Sequence, residues 1–312
     1  MRINLNKPFK IILIIIIILS VVELALRHYL GFCDSVLMQE DPKFEYISCP
    51  NQDRIRFGNH IKYNNFSMRS EEIDTSANII LGFGDSIFNG GVFIDQDSLA
   101  STILSKKISI TNKHKVQFLN ISAGSWGPDN CFAYLMKYGN FGCKKIHLIV
   151  SSHDAYDNMT FDKVVGVNFR YPKKQYSLAI IELLDRYIIP ETKKLFGMNI
   201  YNIEESDIDK RTLNTGFNNV FDSFLKYSKL NNLPLTIYLH ASKNEIINGK
   251  YNEQGNEIIN FAMKNNIKIL KDLEMGITGS DLHDKIHYNN SGQRKMAEII
   301  FKSYHNDFLP LK

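Results

Sequence analysis

The chain has 312 residues with 37 Lys and Arg against 33 Asp and Glu, a formal charge of +4. A hydrophobic share of 44% and a charged share of 22% are ordinary for a globular protein large enough to bury a full core. The charges are mixed in sign throughout, with no dense basic stripe, which excludes the electrostatic footprint of a nucleic-acid-binding protein.

The N-terminus departs from this average. Arg2, Lys7 and Lys10 precede an apolar run from Ile11 to Val22 in which Ser20 is the one polar residue; Glu23 interrupts, and Leu24, Ala25 and Leu26 continue it to Arg27. As a helix, Ile11 to Leu26 is about 24 Å long, against a hydrocarbon core of about 30 Å. Lys10 and Arg27 can snorkel to extend the reach, and the basic flank sets the N-terminus in the cytoplasm. No small-x-small cleavage pattern follows, because Ala25-Leu26-Arg27-His28-Tyr29 is bulky. The expectation is an uncleaved signal anchor over 1–28, single-pass in the inner membrane, with the rest periplasmic or extracellular. A cleaved signal peptide is the alternative.

Residues 29–76 lack strong periodicity, and Pro42, Pro50, Asn51-Gln52-Asp53 and Asn64-Asn65 predict an extended arm with short strands or turns, packed on the domain expected over 77–312. From residue 77 strands and helices alternate. Strands are expected at 78–83, 116–121, 145–151, 235–240 and 267–270, and helices at 98–106, 128–138, 176–196, 211–230, 252–264 and 289–304. Pro190 is expected to kink or end the third of these helices. The alternation predicts an α/β fold with a parallel sheet covered on both faces. The stretch from Asp154 to Leu233 is too long for one crossover and reads as an inserted helical subregion at about 155–233. Four cysteines, Cys33, Cys49, Cys131 and Cys143, permit disulfides in an exported chain. Local pairing of Cys33 with Cys49 and Cys131 with Cys143 is the simplest of three connectivities, beside free buried thiols. No metal-type spacing occurs among them, and no cofactor or metal is expected.

The chemistry begins at Gly82-Phe83-Gly84-Asp85-Ser86, directly after the apolar run Asn78-Ile79-Ile80-Leu81. A buried strand that ends in Gly, Asp and Ser puts a hydroxyl at the C-terminal edge of a sheet, where open α/β folds build their sites. Far along the chain, Asp284-Lys285-Ile286-His287 precedes the last helix. Three residues apart in one loop, the carboxylate can bond the imidazole, fix its tautomer and stabilise imidazolium, as a general base for a serine requires. His283 is a neighbouring decoy for that base.

Together these blocks resemble the SGNH, or GDSL, hydrolase family. The resemblance covers about residues 60–312. Its second block is similar to Asn120-Ile121-Ser122-Ala123-Gly124, its last to Asp284-Lys285-Ile286-His287, and a stretch ahead of the nucleophile to Asn65-Phe66-Ser67-Met68-Arg69. The resemblance implies a three-layer, flavodoxin-like sandwich with a five-stranded parallel sheet, and a catalytic set of Ser86, His287 and Asp284. It implies an oxyanion hole of Ser86, Gly124 and the third block, with Asp85 buttressing the nucleophile loop. The third block departs from the pattern: after Leu148-Ile149-Val150 the chain reads Ser151-Ser152-His153-Asp154, with His153 where an Asn is expected. A neutral imidazole carries one N–H and can donate in its place, with Asp154 as its support. Asn89, Trp126, Tyr156 and His240 are the expected substrate contacts. The implied activity is serine esterase chemistry on O-acyl, first of all O-acetyl, esters of a cell-surface glycan. O-acetyl transfer in polysaccharide assembly, lipid ester hydrolysis and glycan binding without turnover are the alternatives.

Overall fold

Five parallel strands form the sheet that positions everything else. The computed structural model describes residues 7–196 and 216–305. The strands are β5 (Asn78–Gly84), β6 (Val116–Ser122), β7 (Lys145–Ser151), β8 (Leu235–His240) and β9 (Lys268–Lys271), in the spatial order β6-β5-β7-β8-β9. That is the flavodoxin-like doubly wound order, with its switch point at β5 between β6 and β7. Each strand is within a residue or two of its expected place, because a short apolar run bounded by turn residues is a strong local signal.

Strand alternation sorts the two cores. Ile79, Leu81 and Phe83 of β5, with Ile146, Leu148 and Val150 of β7 and Leu235, Ile237 and Leu239 of β8, enter one hydrophobic cluster. It is covered by α4 (Pro128–Tyr138), α7 (Val220–Leu230) and α9 (Glu253–Lys264). Ile80, Ile149 and Tyr238 face the other cluster, under α3 (Ala100–Asn112) and α10 (Asn290–His305). Helices on both faces of a parallel sheet make the three layers that the alternation predicts. The short α8 (Lys243–Asn248) has no counterpart among the expected helices; Ser242 caps it and Glu245 completes a capping box.

The N-terminal helix α1 (Lys7–Leu30) buries none of its residues and is long and apolar enough to cross a membrane. The arm is two antiparallel hairpins, β1 (Met38–Asp41) with β2 (Glu45–Ser48) and β3 (Gln52–Arg56) with β4 (Asn59–Tyr63). It contributes Phe44, Tyr46 and Ile47 to the larger core cluster.

In the insertion, α5 (Ala179–Leu183) runs through a π-turn at Leu184–Ile188 into α6 (Ile189–Leu195). Pro190 therefore does not end the helix; it sits just after the wider turn, in the first turn of the next segment, where the missing N–H costs least. Of the helix expected over 211–230, residues 211–215 lie outside the described residues and 216–219 are not helical; it begins at Val220. The rest of the expected insertion at 197–210, the tip at 1–6 and the C-terminal 306–312 also lie outside the described residues. All four cysteines are free thiols, so the local disulfides are not formed. Cys131 lies on the face of α4 packed against the sheet, its sulfur 3.8 Å from the Gly84 carbonyl, which turns it away from any disulfide partner.

Candidate active site

Register brings the blocks to one edge. Gly84 of β5 pairs with Ser122 of β6, Phe83 pairs with Leu148 of β7, and Ser151 of β7 pairs with His240 of β8. The residues just past these pairs, Ser86, Gly124 and His153, therefore leave the sheet from the same C-terminal edge.

Ser86 opens a single helical turn, α2 (Ser86–Asn89), whose cap is Asp85. The Asp85 carboxylate accepts the Ile87 N–H at 2.8 Å, satisfying one of the donors a helix start leaves over. Burial pushes the Asp85 carboxyl up, against the pull of His153 and the Ile87 N–H. The glycines ahead of it are required by packing. A Cβ on Gly82 would lie 2.5 Å from the Phe118 ring and 2.6 Å from Phe88, and one on Gly84 would lie 2.9 Å from the Phe88 Cβ. Without side chains there, Phe88 packs closely over the end of β5 and the Ser86 turn sits on the sheet.

The Asp284 loop reaches the same point from the other side. His287 Nε2 lies 2.8 Å from Ser86 Oγ, and His287 Nδ1 lies 2.8 Å from Asp284 Oδ2. The other Asp284 oxygen accepts the backbone N–H groups of Ile286 and His287, at 2.9 and 2.8 Å. Partial burial would raise the Asp284 carboxyl, but the imidazole and these two N–H donors outweigh it and hold it well below the usual carboxylate range. The pair remains open to solvent, with side chains 37% and 46% exposed. His283 is exposed and packs against the tilted Phe93 ring at 4.8 Å between ring centres, whereas His287 is the histidine that reaches Ser86.

The third block converges on the same place. Asp154 accepts the Ser151 N–H at 2.6 Å within a turn at Ser152–Ala155. His153 is half-buried beside it, Nε2 3.9 Å from Asp154 Oδ1. One oxygen or nitrogen from each of Asp85, His153 and Asp154 lies within 4.8 Å of the others. His153 is thus set beside the Asp85-Ser86 turn between two carboxylates.

The expected substrate contacts fare differently. Asn89 is buried, donating to Ser122 O and Oγ and accepting from Tyr63. Trp126 is 1% exposed, and its indole N–H donates to the Tyr46 carbonyl at 2.8 Å. His240 is fully buried: Nδ1 faces Asp272 Oδ2 at 2.6 Å and Tyr288 Oη at 2.8 Å, and Nε2 donates to the Ile286 carbonyl at 2.7 Å. These three are corrected to framework residues, since each has its polar atoms committed inside the protein. Tyr156 is half-buried, its hydroxyl held by Glu257 on α9.

Several supports carry no motif of their own. Tyr46 of the arm donates to the Gly124 carbonyl at 3.0 Å, and Tyr171 donates to Ser125 Oγ at 3.2 Å, bracing the second block. The buried Arg69 guanidinium donates to the carbonyls of Asn89, Gly91 and Ile94 and so pins the loop that follows α2. Of these, Arg69 alone had a signal, in Asn65-Phe66-Ser67-Met68-Arg69. Tyr46 and Tyr171 had none, because their contacts span 78 and 46 residues.

No family model matches this chain, and no curated protein matches it. Among solved structures it is similar to a lipolytic protein of the G-D-S-L family from Veillonella parvula, at 14% identity over 73% of this chain and 99% of that one, with a TM-score of 0.39. It is also similar to the acetylxylan esterase Axe2 from Geobacillus stearothermophilus, at 10% identity over 77% of this chain and 99% of that one, with a TM-score of 0.43. A lipase/acylhydrolase from Enterococcus faecalis matches at 11% identity, 75% and 99% coverage and a TM-score of 0.41. At such identities and TM-scores the likeness adds no weight to any activity, and the site stands on its own geometry.

Proposed function

We propose that the protein is a serine esterase that cleaves O-acyl esters through an acyl-enzyme. The observation that carries this reading is the continuous line from Ser86 Oγ to His287 Nε2 and from His287 Nδ1 to Asp284 Oδ2, each step 2.8 Å. A serine, a base within hydrogen-bond reach and an acid that orients the base form the set that activates a hydroxyl.

In this reading Ser86 Oγ attacks the ester carbonyl while His287 Nε2 takes its proton. The tetrahedral oxyanion is met by the backbone N–H groups of Ser86 and Gly124 and by the His153 ring. His287 then gives its proton to the leaving alcohol as the C–O bond breaks. Water, deprotonated by the same nitrogen, attacks the acyl-enzyme and releases the acid and free Ser86. Asp284 stays ionised throughout and stabilises the imidazolium. The exposure of His287 and Asp284 leaves the acyl-enzyme open to water, which favours hydrolysis over transfer to a sugar hydroxyl. Intact geometry between Ser86 and His287 disfavours a binding domain without turnover.

The substrate follows from the family resemblance and from α1. An extracytoplasmic, membrane-anchored esterase of this kind acts on acylated surface glycans, with acetyl the first acyl group to try. The test is release of acid from a small acetyl ester by the wild type and by Ser86→Ala, with and without an oligosaccharide acceptor. Acid release lost in Ser86→Ala supports the reading. Equal rates in both sink the serine mechanism, and acetyl captured by the acceptor moves the assignment to transfer.

A further inference from the structure

Glu23 breaks the apolar run of α1, and the structure shows what it does there. Its two carboxylate oxygens accept the N–H groups of Ala179 and Ile180, at 2.8 and 3.0 Å. Four residues on, Arg27 pairs with Glu23 at 2.7 Å and donates to the Ser177 carbonyl at 2.7 Å. The carboxylate thus caps the first turn of α5, and the insertion helix starts beside the last two turns of α1. From Glu23 to Leu30 is about 10 Å along the helix, so α5 leaves α1 near its outer end.

On the side that α5 turns toward the protein, a buried polar cluster forms around Glu182. Glu182 is fully buried and accepts from Arg56 at 2.6 Å, from Arg186 at 3.0 Å and from the Cys33 N–H at 2.6 Å. The opposite face carries apolar side chains that no other element covers among the described residues. Ile181, Leu184 and Ile188 follow one another through the π-turn and are 49%, 42% and 42% exposed; Glu191 and Thr192 interrupt before Leu195, which is 83% exposed. Exposed Lys173 and Lys174 precede this stripe. An inverted helix of this kind, charged inside and apolar outside, is out of place facing water. It is in place against the solvent that already surrounds α1.

We propose that the outward face of residues 179–195 lies in the headgroup–acyl boundary of the bilayer that α1 crosses. The occupant is the lipid surface because the stripe continues the exposed apolar surface of α1 at 11–22, to which the Glu23 cap and Arg27 fasten it. The lysines beside it suit anionic headgroups. The contact also bears on the site. Tyr187 of the same helix packs on Phe32 and Phe57, Phe57 stacks on Phe93, and Phe93 packs on His283, next to Asp284. An unbroken run of rings therefore joins the bilayer-facing helix to the loop that carries His287.

This inference rests on α1 as a membrane anchor, and one experiment separates the two. The full chain is reconstituted in vesicles of phosphatidylcholine and phosphatidylglycerol, with and without bromine on the acyl chains. Tryptophan is placed singly by Ile17→Trp in α1, by Leu184→Trp or Ile188→Trp in the stripe, or by Leu230→Trp, an exposed apolar position on α7. Trp126 is buried and serves as the internal unquenched reference. A tryptophan seated about 5–10 Å into the boundary is expected to lose about half its emission at 184 and 188, while 230 is unaffected. Quenching at 17 but not at 184 and 188, or no more there than at 230, overturns the inference and keeps the anchor. No quenching at 17 overturns both. A blue-shifted but unquenched emission at 184 assigns the stripe to a second copy or another protein, and overturns the inference too.

Discussion

Two His–Asp pairs lie about one loop apart, and they have opposite fates. His240 and Asp272 are both fully buried at 2.6 Å, and every ring nitrogen of His240 has a partner inside the protein. His287 and Asp284 are half exposed at 2.8 Å, and the remaining ring nitrogen faces a hydroxyl at a sheet edge. The chemistry of the side chains is the same. What makes His287 the proposed base and His240 a strut is where the second nitrogen points. His240 spends it on the Ile286 carbonyl, one residue before His287, so the buried pair holds the loop on which the exposed pair works.

The contrast is broken most severely at the exposed pair. His287→Ala is expected to lower kcat by at least about a thousand-fold, and Asp284→Asn by about ten-thousand-fold, with the fold intact by circular dichroism. Asp284 also fixes the sign of the pH dependence. Its carboxyl is held well below the ordinary value of about 3.9, so its contribution to stability is present above that value and fades only as pH falls through the lower folded one. Asp284 is therefore expected to stay ionised through the acid limb of kcat/KM, which a carboxylate NMR titration checks; protonation of Asp284 at or above the ordinary value would contradict its assignment.

Next in size is the third block. His153→Ala is expected to cost about a hundred- to a thousand-fold in kcat if the ring meets the oxyanion, while His153→Asn retains most of the rate. Equal, small losses in both would remove His153 from the oxyanion hole.

At the buried pair the effect moves from rate to stability. His240→Ala removes one buried partner of Asp272, which keeps the Ala241 N–H and the hydroxyls of Tyr251 and Tyr288, and it is expected to cost about 1–3 kcal/mol in denaturant unfolding. Its loss in kcat should fall well short of that of His287→Ala, and an equal loss would mean that the two histidines had been misassigned. The smallest effect is at Cys143, whose thiol burial pushes up to about 11. It should resist alkylation at pH 8 in the folded protein and react once denaturant is added.

The amino-acid sequence is most legible where information is local. The ends of β5 and the loop at 281–287 announce themselves, because a strand edge, a glycine without room for a Cβ and a carboxylate three residues before a histidine are features of a few adjacent residues. The five strands are legible for the same reason. Side-chain direction is not. Trp126 follows Ser125, which adopts a left-handed backbone at φ 56°, and the turn delivers the indole to the core rather than to the site. His240 shares its strand face with Tyr238, so the period-2 rule points it into the protein, toward Tyr288. The roles of Tyr46, Tyr171 and Glu23 depend on contacts across long stretches of chain, and nothing in a local pattern carries them.

The most direct test of the central claim is fluorophosphonate labelling of the full chain, read by peptide mass spectrometry in wild type, Ser86→Ala and His287→Ala. The predicted result is a single adduct on Ser86 in the wild type, absent in Ser86→Ala and strongly slowed in His287→Ala. An adduct elsewhere, or labelling of Ser86 indifferent to His287, would contradict the account.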